Sequence, residues 1–279
     1  MTTITAEMIK SFTNTLIDEE REQSTTEKYL RDIRAFDQWL GDESITRESC
    51  LKYKEKLMSR GLKPATINGI LSALNKFFEV IGRQDCKVKK LRVQRRVFRS
   101  TERELTKEEY IKLIETAYNS GRERTALLME TICATGIRVS EVKAITVEAV
   151  NRGRAEIYLK GKVRTILLPN KICRKLKKYA KKQKIAFGEI FLTKSGKSIS
   201  RKQIWAEMKV ICKKASVSAT KVFPHNLRHL FARTFYKVCR DIVKLADVLG
   251  HSSIETTRIY LVSSGYEHSK DLERLGLIS

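Results

Sequence analysis

Three stretches of this sequence carry side chains suited to chemistry on a phosphate. In "FPHNLRHLFA", residues 223–232, Pro224 suits the first turn of a helix, and His225, Arg228 and His229 stand at i, i+3 and i+4. A helix would put all three on one face near its positive end. His225 could donate to a phosphate oxygen, and Arg228 could grip two. A zinc site using His225 and His229 with Cys239 or His251 is disfavoured, because Arg228 on the same face would repel a cation and no H-E-x-x-H spacing is present. In "ATGIRVSE", residues 134–141, Arg138 stands at a junction where one helix stops at Gly136 and another starts. Its fork either points at an anion held by helix-terminal amides or pairs with Glu141. In "LGHSSIETTRIY", residues 249–260, Gly250 can cap a helix and leave His251 just outside it. Ser252 and Glu255 have capping-box spacing, which opens a short helix carrying Tyr260. A histidine and a tyrosine flanking a tight turn can converge on one small ligand, although Tyr260 alone would read as a half-buried aromatic.

The elements that must position these residues fall into two groups. A helix near residues 5–20 is followed by "STTEKYLRDIRAFDQWLG", which places Tyr29, Ile33, Phe36 and Leu40 at helical spacing before Gly41. "TRESCLKYKEKLMSRG" follows, with Thr46 as N-cap, and a fourth helix runs from Pro64 to Gly82. These predict a compact four-helix unit over residues 1–86. Residues 87–99, "KVKKLRVQRRVFR", hold seven basic residues (Lys87, Lys89, Lys90, Arg92, Arg95, Arg96 and Arg99), a composition no core would have. They read as an interdomain linker over 87–104, either merely solvated or lying along a nucleic-acid backbone. A second, mostly helical domain then spans 105–279. Its interruption is "AEIYLKGKVRTILLP", residues 155–169, two β-rich runs around a Lys-Gly turn, which predict a hairpin. "KICRKLKKYAKKQK" then carries eight basic residues around a stripe of Ile172, Leu176 and Tyr179, an amphipathic helix whose basic face is either solvated or in phosphate contact.

Bulk composition limits the function. The chain of 279 residues carries 56 Lys+Arg against 32 Asp+Glu, a net charge of +24, distributed as −5 over residues 1–50, +11 over 51–100 and +18 over 101–279. An excess of this size favours a polyanion partner, since each neutralised phosphate releases condensed counterions. No apolar run approaches the roughly 20 residues of a spanning helix, and the N-terminus lacks a signal-peptide core, so a soluble cytoplasmic chain is expected. The six cysteines are scattered singly without C-x-x-C spacing, as expected of small buried hydrophobes in a reducing compartment.

In order, "TGIRVSE", a hairpin with a Lys-Gly turn, "HNLRH", "LGHSS" and "TTRIY" near the end of the chain resemble the tyrosine recombinases, the integrase family that includes the Xer-type enzymes. The resemblance implies a mainly α (α+β) protein: an N-terminal four-helix core-binding domain, a basic linker, and a mostly helical catalytic domain with a small antiparallel β-sheet. It implies catalytic roles for Arg138, Lys160, His225, Arg228, His251 and Tyr260, with Tyr260 the nucleophile and Glu141 an acidic residue orienting the arginine or a histidine. Lys160 precedes the glycine of the turn and is preferred to Lys162, although the turn is one residue shorter than the family's usual form. The expected reaction is metal-free and cofactor-free DNA strand exchange through a 3′-phosphotyrosine. Expected partners are double-stranded DNA with inverted core half-sites and, through a C-terminal tail bearing Tyr266, Leu272, Leu275 and Leu277, neighbouring copies in a tetramer on two duplexes. The tail could equally fold back on its own domain. Helix signals within the first ten residues leave no room for an arm-binding domain, and a nucleoid-associated protein of the cytoplasm is expected. A type IB topoisomerase or telomere resolvase would use similar residues. A non-catalytic DNA-binding protein would not need all six.

Overall fold

The computed structural model describes residues 4–92, 101–159 and 162–260, and the chain divides into two compact units, residues 1–95 and 96–279. The first is built from α1 (Ala6–Asp18), α2 (Gln23–Leu40), α3 (Arg47–Ser59) and α4 (Pro64–Val80), closed by a 3-10 turn at Gln84–Cys86. Local sequence sets the ends of these helices. Thr5 caps α1, Thr46 and Ser49 form a reciprocal capping box on α3, and Pro64 occupies the first turn of α4. α2 starts at Gln23 with Glu22 as its N-cap, ahead of the Ser/Thr cluster expected to start it. The apolar faces meet in a core rich in aromatic rings, with Phe12 against Phe77 at 5.4 Å and Phe36 against Tyr53 at 5.0 Å, both edge to face.

The basic segment after this core differs from the expected free linker. Val88 is buried, and two asparagines one heptad apart on α4 hold the chain as a neighbouring strand would. Asn75 exchanges a pair of hydrogen bonds with the backbone of Val88 (2.9 and 3.0 Å), and Asn68 does the same with Leu91 (2.9 and 2.7 Å). Residues 87–91 are therefore packed on the first unit, because satisfied amide clamps and a buried valine outweigh the solvation of a charged stretch.

The second unit comprises α5 (Lys107–Asn119), α6 (Glu123–Thr135), α7 (Val147–Arg152), the hairpin β1 (Arg154–Leu159) and β2 (Lys162–Leu167), α8 (Asn170–Lys182), α9 (Arg201–Lys214), α10 (Pro224–Cys239), α11 (Ile242–Leu249) and α12 (Ile254–Arg258). The strands pair antiparallel, with Ile157 opposite Arg164 and Leu159 opposite Lys162. α6 and α10 pack at the centre of a core that includes Leu113, Ile132, Leu176, Met208 and Leu227, all fully buried. Each such side chain contributes about 1.5–3 kcal/mol by leaving water. As the periodicity of α8 predicts, Ile172, Leu176 and Tyr179 are buried and its lysines face outward. Among the described residues no helix is long and apolar enough to cross a membrane. Of the six cysteines, Cys50, Cys86, Cys173 and Cys212 are buried, whereas Cys133 is half-buried and Cys239 is exposed near the end of α10, against the expectation of uniform burial.

Candidate active site

The site forms where three chain reversals meet, and glycine makes two of them possible. α6 ends at Gly136 with φ +64°, where a Cβ would lie 2.5 Å from Phe231 and 2.9 Å from Leu249. α11 ends at Gly250 with φ +62°, where a Cβ would run into the side chain of Arg164. These two positions need glycine both for backbone conformation and for close approach. The third element, the N-terminus of α10, is held by Asn226, whose amide donates to the carbonyls of Arg103 (2.8 Å) and Lys221 (2.6 Å).

The last turn of α11 offers three consecutive carbonyls, each of which accepts from a different arginine. Val248 accepts from Arg164 at 2.9 Å, Leu249 from Arg228 at 2.9 Å and Gly250 from Arg138 at 3.5 Å. A helix C-terminus has orphan carbonyls and a partial negative charge, so it can gather guanidinium groups that would otherwise repel. The 3-10 turn Val139–Ala144, found where a second α-helix was expected, puts Glu141 beneath them. Glu141 is buried and accepts from the backbone N–H of Arg138 (2.8 Å), from its Nη1 (2.8 Å) and from Nη1 of Arg164 (3.1 Å). Glu141 thus contacts Arg138, one of the two kinds of residue it was expected to orient.

Arg228 is 1% exposed. Besides Leu249 it donates to the carbonyl of Gly136, to Nε2 of His251 at 2.9 Å and, through Nε, to the hydroxyl of Tyr260 at 3.4 Å. A guanidinium has no acceptor, so Nε2 of His251 must accept. The imidazole proton then sits on Nδ1 and donates to Thr257 Oγ1 at 2.8 Å. Burial, reinforced by Arg228, Arg138 and Arg164, pushes His251 down to about 4, which keeps it neutral at physiological pH. Arg228 is likewise lowered by burial but remains charged.

Tyr260 is 5% exposed and lies among three imidazoles. His251 stacks on it at 5.6 Å and 12°, His229 approaches to 4.4 Å, and His225 lies at 5.9 Å. The capping differs from expectation in one detail: Ser253, not Ser252, caps α12 by accepting from the N–H of Glu255. α12 spans five residues, and Tyr260 lies in the turn beyond it instead of within it.

Five of the six residues expected to be catalytic, Arg138, His225, Arg228, His251 and Tyr260, thus converge, together with Glu141. Lys160 lies outside the described residues, as do Arg95, Arg96 and Arg99 of the basic segment. Lys89, Lys90 and Arg92 are exposed, whereas Lys87 pairs with Glu79 at 2.9 Å. Three contributors were not anticipated. Arg164 follows the turn in the quoted hairpin; Thr257, 0% exposed, lies in the quoted "TTRIY"; and His229 shares the helix face of His225 and Arg228. The signal for the first two was their position inside motifs already singled out. Among the described residues no group of three or more His, Cys, Asp and Glu side chains is placed to hold a metal ion.

The phenol of Tyr260 thus stands beside a buried arginine, and a second arginine of the cluster, Arg138, is 37% exposed. The chain belongs to the phage integrase family, whose pattern matches residues 103–265, while that of the phage integrase N-terminal SAM-like domain matches residues 9–85. It is thereby a tyrosine recombinase, of the class that carries out site-specific recombination. Among its relatives, tyrosine recombinase XerA of Pyrococcus furiosus is 28% identical over 99% of this chain and 96% of its own length. Tyrosine recombinase XerD of Halalkalibacterium halodurans is 27% identical over 85% of this chain and 86% of its own. A lambda integrase tetramer bound to a Holliday junction shares the fold, with a TM-score of 0.72 at 21% identity over 91% of this chain and 76% of that one.

Proposed function

We infer that the protein cleaves and rejoins double-stranded DNA at inverted core half-sites, with Tyr260 as nucleophile, in integration, excision or resolution. The observation that carries this reading is the Tyr260 hydroxyl held 3.4 Å from Arg228 Nε inside a nest of histidines. An unperturbed phenol with a pKa near about 10 attacks poorly at neutral pH, so a cation beside its oxygen is needed to favour the phenolate. In the reaction the Tyr260 oxygen bonds to phosphorus, the P–O5′ bond breaks, the phenol proton leaves, and the departing 5′ oxygen gains a proton. Lys160 is assigned to supply that proton. The product is a 3′-phosphotyrosine and a free 5′ hydroxyl, which can reverse onto a new strand without an external energy source.

Arg138, the more exposed of the two arginines, grips the non-bridging oxygens, while Arg228 organises the nucleophile. His225, exposed at the start of α10, donates to the same oxygens. Neutral His251 accepts a hydrogen bond at Nε2, and the same atom could receive the phenol proton once phosphate competes for Arg228. Lys89, Lys90, Arg92 and the basic residues that follow line the backbone of the DNA. The tail beyond Tyr260 lies outside the described residues; we assign its apolar side chains to a neighbouring protomer in a tetramer. A groove of about 320 Å3 lined by Tyr110, Leu230, Phe231, Phe235 and Val238 offers an apolar surface for them.

A nicked suicide duplex tests the reading. Wild type should accumulate a covalent protein–DNA adduct that is insensitive to chelator, and Tyr260→Phe should form none. An adduct that requires magnesium would contradict it.

A further inference from the structure

We propose that Arg164 is a positioning residue of this active site: it neutralises Glu141 so that the charges of Arg138 and Arg228 remain available to the scissile phosphate. The proposal rests on the functional reading above. It starts from the alternation of β2. Val163, Thr165 and Leu167 point to solvent, whereas Ile166 is buried and the Arg164 side chain turns inward, with only 12% of its surface exposed. There it makes a fork: Nη1 donates to both oxygens of Glu141 (3.1 and 3.3 Å) and Nη2 to the carbonyl of Val248 (2.9 Å). Its aliphatic stem and guanidinium lie over Gly250, where a Cβ would run into them. One side chain therefore joins the hairpin, the Arg138 junction and the end of α11.

The charge balance gives this fork its consequence. Glu141 carries −1, Arg138, Arg164 and Arg228 carry +1 each, and His251 is neutral, which leaves these five groups at +2. A phosphodiester brings −1, and its five-coordinate transition state approaches −2, so the cluster matches the charge that develops. Without Arg164, Glu141 would be buried with Arg138 as its remaining ion-pair partner among the described residues. The carboxylate would then draw Arg138 into a two-pronged pair and away from the substrate. The cluster would fall to +1.

A charge cycle separates this role from mere support of the fold. Arg164→Met should keep affinity for a core-site duplex within about threefold while slowing suicide-substrate cleavage about 100-fold, the scale expected when a reacting group is misplaced by about 1 Å. Adding Glu141→Gln to Arg164→Met removes the uncompensated charge and should recover at least about tenfold of that rate, a tenfold step being one decade in the rate constant. Arg164→Lys, which retains a cation beside Glu141, should cleave faster than Arg164→Met. If Arg164→Met fails to fold, judged by circular dichroism and melting, the Lys variant and the double variant carry the comparison against Glu141→Gln alone. A double variant slower than both single ones, or Arg164→Met cleaving as fast as wild type, would overturn the proposal. Absence of an adduct from wild type itself would instead overturn the functional reading.

Discussion

The hydroxyl of Tyr260 lies 3.4 Å from Nε of Arg228, and both side chains are buried within one polypeptide. Tyr260, the nucleophile of the proposed reaction, thus lies beside an arginine of its own chain and packs against His229 and His251. A mixture of Tyr260→Phe and Arg138→Gln proteins should therefore form no adduct on the suicide duplex, because every protomer lacks one partner. Adduct formation by the mixture, with each variant inactive alone, would show that tyrosine is delivered between protomers.

Much of this site was legible in the sequence because its motifs are local. Gly136 and Gly250 announce chain reversals, Pro224 starts α10, and the i, i+3, i+4 spacing puts His225, Arg228 and His229 on one face whatever the tertiary packing. What was not legible depends on long-range partners. Arg164 is an ordinary basic residue of a strand until α11 and Glu141 are brought to it from 84 and 23 residues away. The packing of residues 87–91 was hidden for the same reason: composition registers seven cations, but not the two asparagines on α4 that clamp the backbone between them. The one-residue shift from Ser252 to Ser253 reflects two adjacent serines with equal capping chemistry.

The two kinds of glycine should separate in their response to alanine. Gly136 and Gly153 both have positive φ, +64° and +71°, but a Cβ at Gly153 meets nothing within 4 Å, whereas at Gly136 it meets Phe231 and Leu249. Gly153→Ala should cost about 1 kcal/mol, the conformational term alone. Gly136→Ala should cost about 1–3 kcal/mol more through overpacking and should slow cleavage. Chemical denaturation of the two variants checks this, and equal losses would contradict the packing described at the α6 end.

His251 gives the fold a pH dependence of definite sign. Its folded value is lowered from 6.5 to about 4, chiefly by burial, so between those values the unfolded chain binds the extra proton and the folded one does not. Stability from this group is complete above about 6.5 and is lost as pH falls towards 4. His251→Gln should flatten the stability profile in that window, measured by denaturant melts from pH 4 to 7. An unchanged slope would contradict a buried neutral imidazole held between Arg228 and Thr257.

The charge distribution sets the salt response of DNA binding. With about six phosphates neutralised per protomer, affinity for a core-site duplex should fall roughly 10³-fold between about 50 and 200 mM salt. Neutralising exposed Lys89 and Lys90 together should reduce the slope by about two, at roughly one unit per phosphate contact. A nearly flat dependence would remove the polyanion argument drawn from the +24 net charge.

The most direct measurement is the identity of the residue that becomes covalently joined to DNA. Protein trapped on a nicked duplex should be digested with protease and nuclease and the nucleotide-bearing peptide sequenced by mass spectrometry. A single modified residue is expected, Tyr260, linked to a 3′ phosphate. Modification at Tyr266, the other tyrosine near the chain end, or linkage to a 5′ phosphate, would contradict it.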